Sequence, residues 1–246
     1  MIQQVYEAVL AILNKNNYGY LTPTDFNLYA QQAQLDLFED VFYQYNNQVN
    51  KENARAQGTG YADIKKGLVE VIDMFSVTAA LTNIGGINTY QLPSVVTTGS
   101  DFYFINKVLA FKADGVTFTG EAERASHSKI TLLNNSLYTA PTITYPAYTT
   151  ESSTLTIFPS SINAANQLQA QYIRYPATPI WTYVSLGAAQ QPQFSITPSY
   201  QDFELPLDYF QDLVNKILQF AGMEIRETEV VQYALGQEQI ENQDEQ

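Results

Sequence analysis

The sequence predicts an α+β fold: a helical bundle built from N- and C-terminal helices, with a β-rich middle region inserted between them. Three observations carry this prediction. Apolar residues recur at helical spacing near both chain ends. The stretch between is made of short β-branched and aromatic runs, bounded by Gly, Pro, Asn or Ser. Helical ends that flank inserted strands usually pack on each other. The expected division is a helical part, 1–80, a β-rich domain, 81–204, and C-terminal helices with an acidic tail, 205–246, packing with 1–80.

The first helix rests on Ile2, Val5, Tyr6, Val9, Leu10 and Leu13, which form one stripe. It should stop in the turn formers Asn14–Gly19. A second helix is announced by Thr22 as N-cap, Pro23 at the first helical position and Asp25 three residues after the cap. Phe26, Ala30, Ala33, Leu37, Val41 and Tyr45 carry its apolar face. The polar run Asn46–Gly60 reads as a loop. Ile64, Leu68, Val71, Ile72 and Phe75 predict a third helix.

Strands are then expected at Thr89–Pro93, Phe102–Phe111, Val116–Thr119, Thr142–Thr149, Thr154–Phe158, Leu168–Tyr175, Trp181–Val184 and Phe194–Ile196. Asp114-Gly115 is the hairpin turn between the second and third of these. One helix is expected to interrupt them at Glu121–Leu133. Pro206 opens the C-terminal helix, with Tyr209, Phe210, Leu213, Val214, Ile217, Leu218 and Ala221 on its apolar side and Gly222 as C′ residue. A last helix is expected from about Glu227, with Val230, Val231, Ala234 and Leu235, before the acidic tail.

Hydrophobic residues make up 45% of the 246 and charged residues only 15%, against about 25% charged in an average domain. Asn, Gln, Thr, Ser and 18 Tyr supply the polar surface instead. Tyr is enriched in interface cores, where Lys and Glu are depleted. The composition therefore suits a protein that meets partners over wide areas, or a low-charge globular protein with no such role. The formal charge of −13 argues against gripping nucleic acid, which needs Lys and Arg along the phosphates, and against an anionic membrane surface. It is compatible with a pore that DNA passes without adhering. There is no cysteine, hence no disulfide, thiolate metal site or Cys nucleophile. The opening residues lack the basic start of a secretion leader, and no apolar run nears the ~20 residues of a membrane span. A soluble chain made in a cytoplasm is expected.

Catalytic signals are weak. The single histidine, His127, lies among polar residues with no nucleophile-elbow pattern near it. Ser126–Lys129 spells S-x-x-K without the companion motifs of that enzyme class. Asn14–Asp25 has the length of a calcium loop, with Gly19 at position six and Asp25 at twelve. Asn14, Asn16 and Tyr18 replace the carboxylates that Ca²⁺ requires, so Asp25 reads as a first-turn acid. No carboxylate pair, phosphate loop or metal-ligand cluster stands out, and no enzyme, cofactor or metal is expected. The string Tyr172-Ile173-Arg174-Tyr175-Pro176-Ala177-Thr178-Pro179-Ile180-Trp181 is the most distinctive. Arg174 among aromatics invites guanidinium stacking on Tyr or Trp. Tyr172, Arg174, Tyr175 and Trp181 are either a strand-end core anchor or a partner-binding surface at the edge of the β region.

Several strings together resemble virion structural proteins of crAss-like and related podovirus-like tailed phages. They are Asn14–Asn27 followed by Ala33-Gln34 and Leu37-Phe38-Glu39; Tyr172–Pro176 with Pro179 and Trp181; and Phe203-Glu204-Leu205-Pro206 with Ile217-Leu218, Ala221-Gly222-Met223, Ile225-Arg226-Glu227 and Val230. The resemblance spans both ends and part of the middle, but not Ser76–Ser100. It implies an adaptor or ring protein of the head-to-tail connector, located at the portal vertex of the virion. Such proteins form twelvefold rings that extend the portal and channel genomic DNA without binding it specifically. It further implies that Ile225, Arg226, Glu227, Val230, Val231, Tyr233 and Leu235 dock on the portal protein, with other tail or ring proteins as neighbours and no membrane. Competing expectations are a tail-fibre or host-binding module, marked by trimeric assembly, and a tail-associated cell-wall hydrolase, marked by an acid–base carboxylate pair.

Overall fold

The computed structural model describes residues 1–14, 21–54, 62–95, 101–186 and 191–225. The helices are α1 (Ile2–Asn14), α2 (Pro23–Ala54), α3 (Ala62–Met74), α4 (His127–Asn134) and α5 (Phe210–Ile225). The strands are β1 (Ser76–Ala80), β2 (Thr82–Asn83), β3 (Thr89–Gln91), β4 (Phe102–Phe111), β5 (Phe118–Arg124), β6 (Ala147–Glu151), β7 (Thr154–Phe158), β8 (Leu168–Arg174), β9 (Tyr183–Leu186) and β10 (Gln191–Phe194). They fall into two compact units. One is drawn from Met1–Ile72 and Pro176–Gln246, the other is Asp73–Tyr175.

The architecture differs from the expected one. The protein is α+β, but its helices are not a terminal bundle around a β-rich middle. Its dominant element is a mixed eight-stranded sheet in the order β1-β8-β4-β5-β6-β7-β3-β2. Every pairing is antiparallel except β5 with β6. The two outermost strands, β1 and β2, are consecutive in the chain and separated only by Leu81. The Leu81 amide still bonds the Leu168 carbonyl on β8 (2.9 Å), and the next residue, Thr82, pairs with Gln91 on β3. One continuous run thus serves both sheet edges and nearly closes a barrel, which removes the open edges a flat sheet would expose.

The barrel interior follows strand alternation. Leu155 and Ile157 of β7, Leu168, Ala170 and Tyr172 of β8, and Val108 and Ala110 of β4 are buried and form one cluster with Leu81, Tyr90, Ala122 and Tyr148. Small and large residues meet across strands: Val108 stands opposite Ala170 and Ala122, and Tyr148 opposite Ile157. Ala110, Ala122 and Ala170 share this buried cluster with Tyr90, Tyr148 and Tyr172. The buried Tyr90 hydroxyl donates to the Ala164 carbonyl (2.8 Å). Burial raises the Tyr90 and Tyr148 pKa values, because the phenolate would lose its water.

The other unit has a helical core from Val5, Val9 and Leu13 of α1, Phe26, Ala30 and Ala33 of α2, and Leu213, Ile217 and Leu218 of α5. Extended chain completes it. Trp181, Phe203 and Leu205 are buried too, and the hairpin of β9 and β10 belongs to this unit. Apolar helix faces are therefore covered partly by extended backbone, which helical periodicity alone does not reveal.

Several local expectations shift. The α2 helix continues through Asn46–Ala54, because no glycine or proline interrupts the chain before Gly58. The sheet begins at Ser76, inside the stretch read as helical. The expected helix at Glu121–Leu133 divides. Its first part is strand, fixed by the pairing of Ala122 with Val108. Its second part is α4, which starts at the N-cap Ser126, whose hydroxyl accepts the Lys129 amide (3.3 Å). Gly222 is buried within α5 rather than ending it. A 3-10 turn, Leu207–Tyr209, precedes α5. The α2 start is as expected: the Asp25 amide donates to the Thr22 hydroxyl (3.2 Å) and that hydroxyl bonds the Asp25 carboxylate. The expected final helix from Glu227 lies outside the described residues.

Candidate functional site

Strand directions place six chain segments at one end of the barrel. There β1, β4 and β7 finish, and β5, β6 and β8 begin, as the registers of Ala80 with Gln169, Phe111 with Phe118, Ala110 with Leu168 and Ala147 with Phe158 require. The chain enters at Ser76, which pairs with Ile173, and leaves at Arg174, which pairs with Phe102, both near the opposite end. Four connections therefore hang at the far end: 84–88, 112–117, 135–146 and 159–167. Contacts join 112–117 to 159–167, and 135–146 to β5. A Cβ on Gly115 would lie 3.2 Å from Asn166 Cβ, and one on Gly120 would lie 2.2 Å from the Thr144 oxygen. The Phe111 amide bonds the Gln167 carbonyl (2.7 Å).

The connection 135–146 is the longest. Helix α4 leads to it by running back along β6. His127 Nδ1 lies 3.5 Å from Glu151 at one end of that strand, and Leu133 packs near Ala147 and Phe158 at the other. The loop is built from turns. Ser136 N–H donates to Leu133 O (3.2 Å), Ala140 N–H to Ser136 O (3.1 Å), Thr142 N–H to Tyr145 O (3.2 Å) and Tyr145 N–H to Thr142 Oγ1 (3.2 Å). Its large side chains nevertheless face solvent: Leu137 is 91% exposed, Tyr138 95% and Tyr145 79%. Ile143 is exposed as well, as are Ile84 and Ile87 of the first turn, Val116 of the β4–β5 turn and Phe118 at the start of β5.

These connections are almost uncharged. From Ile130 to Thr150 there is no Asp, Glu, Lys or Arg. Across the four connections only Lys112 and Asp114 carry charge, of opposite sign. Asp114 is occupied within its own turn, where Oδ1 accepts the amides of Val116 and Thr117 (both 2.9 Å) and Oδ2 the Thr117 hydroxyl (2.5 Å). The Thr117 hydroxyl, then the amides of Thr117 and Val116, lower its pKa to about 2. Elsewhere on the barrel the charges pair: Lys107 with Glu121 (3.2 Å), Lys129 with Glu123 (2.8 Å). Residues 73–175 hold six acidic and five basic residues, so the remainder of the chain carries −12 of the −13. Clustered exposed apolar side chains on an uncharged, hydrogen-bonded surface are the usual mark of an interaction site.

The residues singled out by sequence have diverse placements. Tyr172 is 1% exposed inside the barrel. Arg174 lies over the Phe75 ring (5.7 Å), and its Nη1 donates to the Tyr175 carbonyl (3.1 Å). Tyr175 meets Tyr103 edge-on at 5.3 Å. Trp181 belongs to the other unit, 2% exposed, stacked on Tyr6 (4.1 Å) and Tyr183 (5.5 Å), with Nε1 donating to Gln3 Oε1 (2.6 Å). Ile225 is the last residue of α5. Arg226, Glu227, Val230, Val231, Tyr233 and Leu235 lie outside the described residues. The apolar barrel end was missed in the sequence, although its signal is visible there: a 21-residue uncharged run holding Leu132, Leu137, Tyr138, Ile143 and Tyr145.

Among the described residues no group of three or more His, Cys, Asp or Glu could hold a metal ion, and no helix is long and apolar enough to cross a membrane. No protein-family model matches the chain, and no curated protein matches it.

Proposed function

We propose that the chain is a structural subunit of the head-to-tail connector of a tailed bacteriophage, one copy of a ring that extends the portal and channels DNA. The observation that carries this reading is the uncharged barrel end with Leu137, Tyr138, Ile143 and Tyr145 exposed on an ordered loop. Such a surface is costly in water and is stabilised by a partner. The acidic balance fits the same role, because a net −13 chain does not retain DNA by counterion release. The likeness of Asn14–Asn27, Tyr172–Trp181 and Phe203–Val230 to connector proteins directs the reading to the portal vertex. A ring of identical subunits needs two different complementary faces per copy.

The test is native mass spectrometry of the full chain, alone and mixed with the portal protein of the same particle. A closed twelvefold species, alone or templated by portal, is the expected result. A monomer or trimer indifferent to portal would overturn the reading.

A further inference from the structure

We propose that α4 is a strap that closes the barrel where β5 meets β6, and that strap and seam open together while the rest of the barrel stays folded. This device belongs to the single chain, whatever the chain assembles into. The seam is the one parallel junction of the eight-stranded sheet, and only Glu123 with Ala147 and Arg124 with Tyr148 are in register across it. Parallel pairing is slightly less stable per residue than antiparallel pairing. Across the seam the Glu123 N–H donates to the Pro146 carbonyl and the Ala125 N–H to the Tyr148 carbonyl (both 2.9 Å). The neighbouring ladders are longer. Strand β4 pairs with β8 from Phe102 with Arg174 to Ala110 with Leu168, and β6 pairs with β7 over its whole length.

Helix α4 bridges this seam, and little holds it there. Ile130 is its one buried residue. It clusters with Ala125, just past β5, and Ala147, the first residue of β6, while Leu133 and Phe158 pack against them. This cluster is separate from the core inside the barrel. A single side chain of α4 therefore anchors on both sides of the junction. The polar ties also reach both sides: Lys129 Nζ lies 2.8 Å from Glu123 on β5, and His127 Nδ1 lies 3.5 Å from Glu151 on β6. All four side chains are more than half exposed, and ion pairs of that kind contribute little. Eight residues of helix do not hold their own shape in water. A small anchor, exposed ties and a short ladder make a unit that opens below the free energy of global unfolding. Release of α4 uncovers Ala125 and Ala147 and leaves the seam to its short ladder.

The experiment is amide hydrogen exchange of the full chain, followed by NMR over a series of low urea concentrations. Three amides report the unit: Ile130, bonded to the Ser126 carbonyl within α4 (2.9 Å), and Glu123 and Ala125, bonded across the seam. Amides of the β4–β8 ladder report the rest of the barrel. The expected result in the natural chain is one shared opening free energy for the three reporters, below that of β4 and β8. Two variants then separate local from global opening. Ile130→Ala should speed exchange of Glu123 and Ala125 by roughly tenfold or more, in keeping with truncation of a buried aliphatic side chain. Leu168→Ala, in the barrel core on β8, should speed the β4 and β8 amides and leave the three reporters unchanged. Circular dichroism confirms that each variant folds; where one does not, the natural chain alone decides. Reporters that share the opening free energy of β4 and β8, or that follow Leu168→Ala, would overturn the proposal. So would an Ile130 amide that opens on its own while Glu123 and Ala125 follow β4 and β8, since α4 would then fray without the seam. Glu123 and Ala125 amides indifferent to Ile130→Ala would overturn it as well.

Discussion

The side-chain amide of Asn27 holds the backbone of Trp181 at both ends: Oδ1 accepts the Trp181 N–H at 2.8 Å and Nδ2 donates to the Trp181 carbonyl at 3.1 Å. Two helical turns along α2, Gln34 does the same work for two strands of chain. Its Nε2 donates to the Ala177 carbonyl (2.8 Å) and its Oε1 accepts the Glu204 amide (3.1 Å). Residues seven apart share a helix face, so both amides stand in for a neighbouring strand. The Glu204 carboxylate closes the set by accepting the Ala177 amide (2.7 Å).

Asn27→Ala removes both partners from a backbone segment whose side chain is buried. The expected loss is roughly 1–3 kcal/mol in unfolding free energy, the cost of stranded polar groups. Trp181 is the sole tryptophan, so its emission reports the same site. A red shift in the folded variant is expected, together with a lower urea midpoint. An unchanged midpoint and emission would show that Asn27 does not secure this segment.

Asp202 accepts the Met1 ammonium (2.8 Å) and the amides of Ile2 (2.7 Å) and Phe203 (2.8 Å). Burial pushes this carboxyl up, but the Met1 ammonium and the two amides outweigh it and hold the pKa below the usual carboxylate value. A group with a depressed folded pKa contributes stability that is present above its unfolded pKa, about 3.9. That stability is lost as pH falls through the lower folded value. Asp202→Asn should therefore melt lower than the natural chain at pH 7, and the two curves should converge as pH falls through the lowered folded value. Parallel melting curves across that range would remove Asp202 from the acid response.

Much of this was legible beforehand. The Thr22-Pro23-Asp25 start of α2 is local chemistry, and strands β4 and β7 have the bounds that their aromatic and β-branched runs suggest. Barrel closure was not legible, because it depends on Leu81 joining two edges that only three-dimensional pairing defines. The Ser76–Asn83 run is mostly Ser, Thr and Ala, with only Val77 and Leu81 as larger apolar residues. The Asn27 and Gln34 clamps were also hidden, since an amide on a helix face looks like any solvated side chain until its partner, some 150 residues away, is known. The apolar barrel end is a surface property: periodicity marks Leu137 or Ile143 as apolar, but only exposure distinguishes them from core.

Asp114 offers a direct check on the barrel-end turn. Its carboxyl should titrate near 2 by NMR, held there first by the Thr117 hydroxyl and then by the amides of Thr117 and Val116. Thr117→Val deletes the hydroxyl and keeps the shape. The pKa should rise toward the ordinary value while the turn amides remain bonded. A titration unchanged by Thr117→Val would mean that the amides alone set it.

Two glycines separate steric need from helix propensity. On β5, a Cβ at Gly120 would stand 2.2 Å from the Thr144 carbonyl oxygen and 3.2 Å from its carbon. Both are backbone atoms, so Gly120→Ala must displace the stretch leading into β6 or spread β5 from it. A cost of roughly 1–3 kcal/mol is expected, in the range of other overpacked sites. Gly67, on α3, has nothing within 4 Å of the same position. Ala there should stabilise the protein by roughly 0.5–1 kcal/mol, because glycine in a helix loses more backbone freedom on folding. Opposite signs in the two unfolding midpoints are the expected outcome. The Gly120 variant carries a second consequence. If Thr144 moves, the exposed side chains of Ile143 and Tyr145 move with it. A Gly120→Ala protein that melts like the natural chain would show that the 142–146 segment does not depend on close approach to β5.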